Sequence, residues 1–269
     1  MRVLVTGDQG LIGRAVTDRL RAAGDGVVGF DRADGHDILD PAALAWAAEG
    51  CDAIVHLAAL LGRPADAPAD IMTVNVTGTW NVLAAARAAG IGRVVAFSSV
   101  NALGIFSGNG TPDYLPIDDA HPARATTAYG LSKRLGEELC RCFTLATGIS
   151  TICLRPPWVT DAARIAAELA RRAANPTAEW APFWEYGAWI DVADLADAVY
   201  AALTCPDPGH VTALVVSDHL ASTHPACALA ARLLPEVPWR GDISPTTLVR
   251  CDTARNILGW TPTRIWPNR

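Results

Sequence analysis

The sequence predicts an α/β fold in which a doubly wound parallel sheet is followed by a small C-terminal lobe. Short β-branched runs alternate with segments of helical periodicity up to residue 155, and a glycine cluster lies between the first run and the first such segment. The alternation becomes irregular after Arg155-Pro-Pro. Strands that alternate with helices form right-handed crossovers, which cover both faces of a parallel sheet. The change near residue 155 therefore separates a sheet domain from the lobe.

The individual elements follow from apolar periodicity, because a buried strand is a short apolar run and a helix places apolar residues three and four apart. The predicted strands are 3–6, 27–30, 53–57, 93–97, 150–154 and 211–216. The predicted helices are 11–23, 41–48, 71–89, 128–147, 161–174, 191–203, 225–233 and 252–258. Residues 104–127 show no periodicity and are predicted to form a long loop of the kind that is usually functional or mobile.

The composition excludes several classes of protein. The 269 residues are 51% hydrophobic and 19% charged, and the formal net charge of −6 leaves no basic surface for nucleic acid. The seven cysteines form no Cys-x-x-Cys pair, no apolar stretch reaches about 18 residues, and the first apolar run is too short for a secretion signal. We expect a cytoplasmic protein with no nucleic-acid or membrane partner. The spacing of its histidines and cysteines fits no zinc pattern, so no metal is predicted.

A glycine motif follows the first strand, with Gly7, Gly10 and Gly13 between that strand and the first helix. Such glycines permit a tight turn, a close approach of the backbone to a pyrophosphate and close helix packing, and the helix N-terminus attracts phosphates. Asp31 ends the second strand, where an acid binds the adenosine ribose hydroxyls. The pattern predicts a Rossmann-type dinucleotide site. A carboxylate repels a 2′-phosphate and favours NAD, although Arg32 beside it would accommodate NADP.

A second feature is the single lysine of the chain, Lys133, among 22 basic residues. It lies four residues after Tyr129 on a predicted helix, so both side chains share one face. Because the chain otherwise uses arginine, this position requires a compact ammonium group. A tyrosine of pKa ~10 becomes a base at neutral pH when a neighbouring cation stabilises its phenolate. We therefore expect Lys133 to lower the pKa of Tyr129.

These motifs, together with His56-Leu-Ala-Ala59, Ser98-Ser99 and Tyr129-Gly-Leu-Ser-Lys133, resemble the short-chain dehydrogenase/reductase superfamily. They are most similar to its extended, NAD-dependent epimerase/dehydratase branch, and the resemblance covers nearly the whole chain. It implies an NAD-binding Rossmann domain over 1–155, which carries the catalytic residues, and a smaller substrate-binding lobe over 156–269 with segments that return to the main sheet. It also implies a homodimer that is formed by the helices 71–89 and 128–147.

The resemblance assigns roles to individual residues. The catalytic residues are Ser99, which orients the substrate oxygen, Tyr129 as general acid and base, and Lys133, which also holds the nicotinamide ribose. Asp37 and Ile38 resemble an adenine-contacting pair. The cofactor site as a whole comprises Gly7, Gly10, Leu11, Ile12, Gly13, Asp31, Asp37, Ile38, Leu57, Ala58, Ala59, Asn75, Tyr129, Lys133 and Pro156.

Candidate substrate residues are Asn101, Arg155, Trp158 and Trp184. Arg155 fits a buried structural arginine equally well. Trp158 and Trp184, with the nearby Trp180 and Trp189, fit either an aromatic pocket wall or the core of the lobe. The simplest interpretation of Asp191 and Asp194 is helix capping, and that of His56 is a structural role.

Three functions remain open on this sequence. The favoured one is an NAD-dependent dehydrogenase or reductase of a small hydroxyl or carbonyl substrate, because about 114 residues follow Arg155, few for gripping a nucleotide-sugar. The alternatives are a sugar or nucleotide-sugar epimerase with retained cofactor, and a non-catalytic NAD-binding sensor. A sensor has no need of Tyr129. Dehydration is disfavoured because Val100-Asn101 stands where dehydratases of this branch carry an acidic pair.

Overall fold

A six-stranded parallel sheet forms the centre of the computed structural model, which describes residues 1–175, 185–243 and 246–267. The described strands are β1 (Arg2–Thr6), β2 (Gly26–Phe30), β3 (Ala53–His56), β4 (Arg93–Phe97), β5 (Ser150–Arg155), β6 (Trp158–Thr160), β7 (Trp189–Asp191) and β8 (His210–Leu214). The order in the main sheet is β2-β1-β3-β4-β5-β8, and β6 and β7 form a separate parallel pair. The direction of strand order reverses beside β1, which is where such sheets open a ligand crevice.

Helices cover both faces of this sheet. The described helices are α1 (Leu11–Ala22), α2 (Pro41–Ala48), α3 (Pro68–Met72), α4 (Gly78–Ala88), α5 (Ala128–Thr147), α6 (Ala162–Ala174), α7 (Val192–Thr204), α8 (Ala226–Leu233) and α9 (Asp252–Leu258). On one face α1 packs against α7, and on the other α4 lies between α2 and α5. Two apolar cores result, one on each face. The predicted doubly wound α/β fold is therefore confirmed. None of the described helices combines the length and apolarity that crossing a bilayer requires.

The helix predicted over 71–89 differs from the structure in one instructive way. It begins earlier, at Pro68, and α3 and α4 are joined by a single π-helical turn, Thr73–Thr77. Such turns insert one residue into a helix and recur at functional sites. Apolar periodicity shows the helix but not the inserted residue. The turn contains the buried Asn75, which is discussed below.

The C-terminal part of the chain is interleaved with the main sheet. β8 pairs with β5 at the sheet edge, and α7 packs on α1. Within the loop predicted over 104–127, Leu115 and Ile117 form single β-bridges to Trp239 and Val249. The short strands β6 and β7 were not predicted, because three-residue strands carry no periodic signal.

Two aspartates at the start of α7 have different roles. Asp191 caps the helix by accepting the N–H of Ala193 at 2.8 Å, as predicted. Asp194 was also predicted to cap, which is wrong. Its side chain is buried and accepts hydrogen bonds from the backbone N–H groups of Thr263 and Arg264, from the Thr263 hydroxyl and from the Arg264 guanidinium. Asp194 thus ties the C-terminal segment to α7.

We expect Asp194→Ala to lower the free energy of unfolding by about 3 kcal/mol, because it leaves the N–H groups of Thr263 and Arg264 without their acceptor. Asp40→Ala is the matched control, since Asp40 is an exposed cap of α2 and its loss costs about 1 kcal/mol. Urea denaturation with an unchanged slope measures both values. Equal losses in the two variants would contradict the tethering role of Asp194.

Candidate active site

A cavity of about 650 Å³ lies at the carboxyl end of the main sheet. Its wall includes the residues that directly follow five neighbouring strands, namely Gly7, Asp31, Leu57, Ser98 and Pro156. Open parallel sheets bind ligands at this edge, and the volume lies within the ~300–1,000 Å³ of typical ligand pockets. The cavity is therefore the candidate active site.

Most residues of the predicted cofactor site share this wall. They are Gly7, Gly10, Leu11, Ile12, Gly13, Asp31, Ile38, Leu57, Ala58, Ala59, Tyr129, Lys133 and Pro156, and Ser99 lies with them. The structure thus brings the glycine turn and the three candidate catalytic residues to one cavity.

Asp37 and Asn75, which were also predicted for the cofactor site, do not belong to that wall. Asp37 accepts the N–H of Leu39 at 2.9 Å and so shapes the loop that presents Ile38. Asn75 is buried, and its side-chain amide bonds both the N–H and the C=O of Leu60 and the hydroxyl of Ser132. Asn75 holds a cavity-lining loop in place with both atoms of its amide, whereas Asp37 binds Leu39 through one carboxylate oxygen and is partly exposed.

The glycine turn is fixed by close backbone approaches. Gly7 has a φ of +77°, and its N–H donates to Phe30 O at 2.9 Å. A Cβ on Gly13 would lie 2.1 Å from Gly7 O, which no side chain can tolerate. Gly10 begins α1 with no side-chain cap, and no acid stands in the first turn. The first N–H groups of α1 are therefore oriented toward the cavity without a competing side-chain acceptor.

Asp31 and Arg32 stand side by side on the cavity wall. The Asp31 carboxylate accepts the N–H groups of Ala33 at 2.9 Å and Gln9 at 3.1 Å, which fixes it beside the glycine turn. The Arg32 side chain is 72% exposed and is not held in this way. The rigid group at the ribose position is thus the carboxylate, which favours a ribose with a free 2′-hydroxyl.

Tyr129 and Lys133 face the cavity from successive turns of α5. The Lys133 ammonium donates to Phe97 O at 2.8 Å and lies 5.8 Å from the centre of the Tyr129 ring. Burial lowers the pKa of Lys133 to about 8. An ammonium carries three N–H donors, so two remain beyond the bond to Phe97.

The expected lowering of the Tyr129 pKa by Lys133 is not what the structure gives. Burial raises the pKa of Tyr129, a hydrogen bond with Ser99 lowers it, and the Glu185 carboxylate raises it. Burial is the largest influence, so the net direction is upward. A phenolate at Tyr129 therefore depends on Ser99 and on further positive charge that a ligand brings.

The two serines after β4 have different partners. Ser98 donates to Glu137 at 2.6 Å and belongs to a buried network. Ser99 begins a 3₁₀ turn, and its Oγ accepts the backbone N–H of Asn101 at 3.1 Å and the side-chain amide of Asn101 at 3.4 Å. Asn101, predicted to touch substrate, is not in the cavity wall; it lies behind Ser99 and fixes that hydroxyl.

Arg155 is not among the residues of the described cavity wall, and its surroundings fit the structural interpretation. Its guanidinium is buried and bonds Glu137 with Nε at 2.6 Å and Nη2 at 2.8 Å. This bidentate pair uses two of the five guanidinium N–H donors and orients the guanidinium toward Glu137.

The predicted tryptophans are likewise not found in the described cavity wall. The ring centres of Trp158 and Trp266 lie 6.0 Å apart, in a small apolar core that also contains Trp189. Trp158 is not in the described cavity wall. Trp184, with Trp180, lies outside the described residues. The wall on this side is formed by Pro157, Val159 and Arg164.

Sequence reasoning missed several residues near the site. His36 stacks on Phe30 at 4.9 Å, and both line the cavity, as does Arg63. Glu185 is 6% exposed, and burial raises its pKa to about 7. The signal that could have found Glu185 is its place as an isolated acid in a Trp-rich segment, between Trp184 and Tyr186.

His56 has the structural surroundings that were expected of it. Its two ring nitrogens contact the hydroxyls of Thr6 and Thr79, and burial lowers its pKa to about 3. Within the described residues, no three His, Cys, Asp or Glu side chains are grouped so as to hold a metal ion.

Comparison with known proteins places these features in a family context. A model of the NAD dependent epimerase/dehydratase family matches residues 3–216. A uronate dehydrogenase from Pseudomonas syringae pv. tomato is 28% identical over 235 residues, which cover 81% of this chain and 75% of that protein. A UDP-glucose 4-epimerase from Mycolicibacterium smegmatis is 36% identical over 159 residues, which cover 51% of this chain and 49% of that protein.

The fold itself also has solved relatives. A crystal structure of a short-chain dehydrogenase/reductase superfamily protein from Agrobacterium tumefaciens, with bound NAD, superposes with a TM-score of 0.77 at 26% identity. The superposition covers 99% of this chain and 94% of that chain.

We expect Gly13→Ala to weaken NAD binding at least about tenfold, equivalent to 1.4 kcal/mol, because the new Cβ displaces the Gly7 carbonyl and the turn around it. Gly92→Ala is the matched control, since a Cβ there meets open space. Isothermal titration calorimetry with NAD measures both affinities. Unchanged affinity in Gly13→Ala would show that the glycine turn does not hold the dinucleotide.

Proposed function

The chain belongs to the NAD dependent epimerase/dehydratase family, and on that premise we propose that it is an NAD-dependent dehydrogenase of a small hydroxyl or carbonyl substrate, such as a sugar or sugar acid. The observation that carries this proposal is the presence of Ser99, Tyr129 and Lys133 in the wall of one cavity with the glycine turn.

The residues present fit NAD. The N-terminus of α1 has no side-chain cap, which suits a pyrophosphate. Because Gly13 has no side chain, backbone alone would lie against that pyrophosphate. The fixed Asp31 carboxylate suits ribose hydroxyls. Lys133 would use its remaining N–H donors on the nicotinamide ribose. Bound NAD supplies the hydride acceptor or donor at its nicotinamide ring.

The proposed chemistry of the protein is proton transfer at the substrate oxygen. In the oxidative direction the Tyr129 phenolate accepts the carbinol proton while the C–H electron pair leaves as hydride, and the substrate becomes a carbonyl compound. Ser99 lies in the same wall and donates its single hydrogen into the cavity, to Tyr129 before substrate binds and to the substrate oxygen afterwards. Lys133 is largely protonated below a pKa of about 8 and holds its charge in the same wall, while the phenolate depends on Ser99 and on positive charge that a bound ligand brings.

The relatives support a compact substrate. The similarity to the uronate dehydrogenase extends over 81% of this chain, whereas the similarity to the UDP-glucose 4-epimerase covers 51%. The epimerase likeness is nevertheless a specific observation, and an NAD-dependent sugar epimerase with retained cofactor is the second candidate.

We propose that the protein acts as a cytoplasmic homodimer. Trp80 on α4 is 52% exposed, and Leu131 and Leu145 on α5 are also exposed, so neighbouring helices carry apolar side chains on their outer surfaces. Burying these side chains between two copies would remove apolar area from water. All seven cysteines are unbridged thiols, which suits a reducing compartment.

We expect the protein to form NADH from NAD with at least one member of a panel of D-glucuronate, D-galacturonate, L-arabinose, D-galactose and D-xylose. Tyr129→Phe should abolish this turnover while NAD affinity stays within about twofold, because the proton acceptor is lost and the ring is kept. NADH absorbance and calorimetry give the two readouts. Turnover that survives in Tyr129→Phe would overturn the assignment of the base.

A dehydrogenase must exchange its cofactor at each turnover, whereas an epimerase returns the hydride to the same substrate. We therefore expect the purified, dialysed protein to release little NAD on heating and to bind added NAD reversibly. The measurement is the amount of NAD per chain in the heat-released supernatant. Near-stoichiometric NAD would instead support the epimerase.

A further inference from the structure

Ser107 connects the candidate active site to the buried Glu185. Its hydroxyl lies 2.8 Å from Asn101 Oδ1 and 2.9 Å from Glu185 Oε1. A serine hydroxyl carries one hydrogen, so it cannot donate to both oxygens. One neighbour must therefore supply a hydrogen. Either the Glu185 carboxyl is protonated, or the Asn101 amide turns so that its NH₂ group faces Ser107.

The orientation of the Asn101 amide decides where the hydrogen of Ser99 points. In the present orientation, the backbone N–H and the Nδ2 of Asn101 both donate to Ser99 Oγ. With its two lone pairs engaged, Ser99 directs its own hydrogen away from Asn101 and toward the cavity, where Tyr129 lies close enough for Ser99 to lower its pKa. The turned amide would present Oδ1 to Ser99 and accept that hydrogen instead.

The surroundings of Glu185 favour its protonated form. The residue is 6% exposed, and its Oε2 has no partner among the described residues. Burial raises the pKa of Glu185 to about 7, although the bond from Ser107 opposes the rise. Among the described residues, the titratable groups whose pKa values respond to its charge are Tyr129 on α5 and the adjacent Tyr186, and neither is a cation.

The backbone on both sides of this contact is constrained. Ser107 and Tyr186, the residue after Glu185, are non-glycine residues with positive φ, at 57° and 55°. The Tyr186 hydroxyl also contacts Ile105 O and Gly110 O in the loop that carries Ser107. Strained backbone of this kind persists when surrounding contacts determine it, and it clusters at functional sites.

We propose that Glu185 is a positioning residue whose protonation, relayed through Ser107 and Asn101, turns the Ser99 hydrogen toward Tyr129. When Glu185 is protonated, it donates to Ser107, Ser107 donates to Asn101 Oδ1, and Asn101 Nδ2 donates to Ser99. When Glu185 is ionised, Ser107 donates to Glu185, the Asn101 amide turns, and the Ser99 hydrogen is drawn away from Tyr129. This inference rests on the proposed role of Ser99 and Tyr129.

The sign of the resulting pH dependence is opposite to that of the tyrosine alone. Tyr129 as a base becomes more active as pH rises, because its phenolate fraction grows. Glu185 loses its proton as pH rises through about 7, so the relay fails on the alkaline side. We expect kcat for NADH formation to pass through a maximum and to fall above this range.

Glu185→Gln tests the relay, because a glutamine amide donates at every pH and has nearly the same shape. It should keep the acid-side activity and abolish the alkaline fall. Glu236→Gln, at an exposed glutamate, is the matched control and should keep the wild-type profile. A fall with the same midpoint as in the wild type would overturn the proposal, because a decline caused by Lys133, whose pKa is about 8, would begin at higher pH.

Ser107→Ala separates the relay from a direct effect of the Glu185 charge on Tyr129. The relay predicts a kcat about tenfold lower on the acid side, as expected for one lost hydrogen bond, and no alkaline fall. A charge acting through space would leave the alkaline fall intact and would overturn the relay. Ser107→Gly repeats the test without backbone strain if the alanine variant does not fold.

Infrared difference spectroscopy tests the protonation of Glu185 without any substrate. The spectrum of the wild-type protein minus that of Glu185→Gln should contain the C=O band of a protonated carboxyl, which disappears with a midpoint near pH 7. Absence of this band at pH 6 would overturn the proposal even if the enzyme is active. If the band titrates but no sugar is oxidised, the proposed substrate class fails and the protonation of Glu185 stands.

Discussion

The buried carboxylate of Glu137 is the contact on which the geometry of the candidate site depends. It lies on α5 one turn after Lys133 and binds Arg155 at the end of β5 and Ser98 at the end of β4. Burial would raise its pKa, but the bonds from Arg155, Ser98 and Arg134 hold the pKa below its usual value. The carboxylate therefore stays charged and fixes α5 on the sheet. Removing either partner of the Glu137–Arg155 pair would leave a buried charge uncompensated.

Burial also explains the protonation behaviour around the cavity. It lowers the pKa of Lys133 to about 8 and that of His56 to about 3, and it raises that of Glu185 to about 7. Each group moves toward its neutral form, as desolvation requires. Because burial disfavours charge on these residues, the site depends on a bound ligand to supply charge. This is consistent with a tyrosine base that depends on its neighbours rather than on its intrinsic acidity.

The sequence predicted the features that short-range patterns determine. The glycine turn joins two consecutive elements and the Tyr129–Lys133 pair lies within one helix, and both line one cavity. Other features depend on partners that are distant in the chain. Asp194 binds residues about 70 positions away, and Ser107 forms a hydrogen bond with Glu185, which lies 78 positions later in the chain. Periodicity describes the face of an element, but it does not show which side chain lies opposite. Asn75 is the intermediate case, since its helix was predicted and the π turn that orients it was not.

The strand order has a consequence for synthesis of the chain. β5 is the last strand of the first 155 residues, and β8, which covers its open edge, lies more than 50 residues later. A nascent chain that has emerged as far as β5 therefore exposes unpaired N–H and C=O groups along a strand that is buried in the folded protein. α7, which packs on α1, is synthesised next, and β8 then pairs with β5 and becomes the edge of the open sheet. Cutting the chain between β5 and β8 would therefore expose the edge of β5, a strand whose residues are all buried in the whole protein.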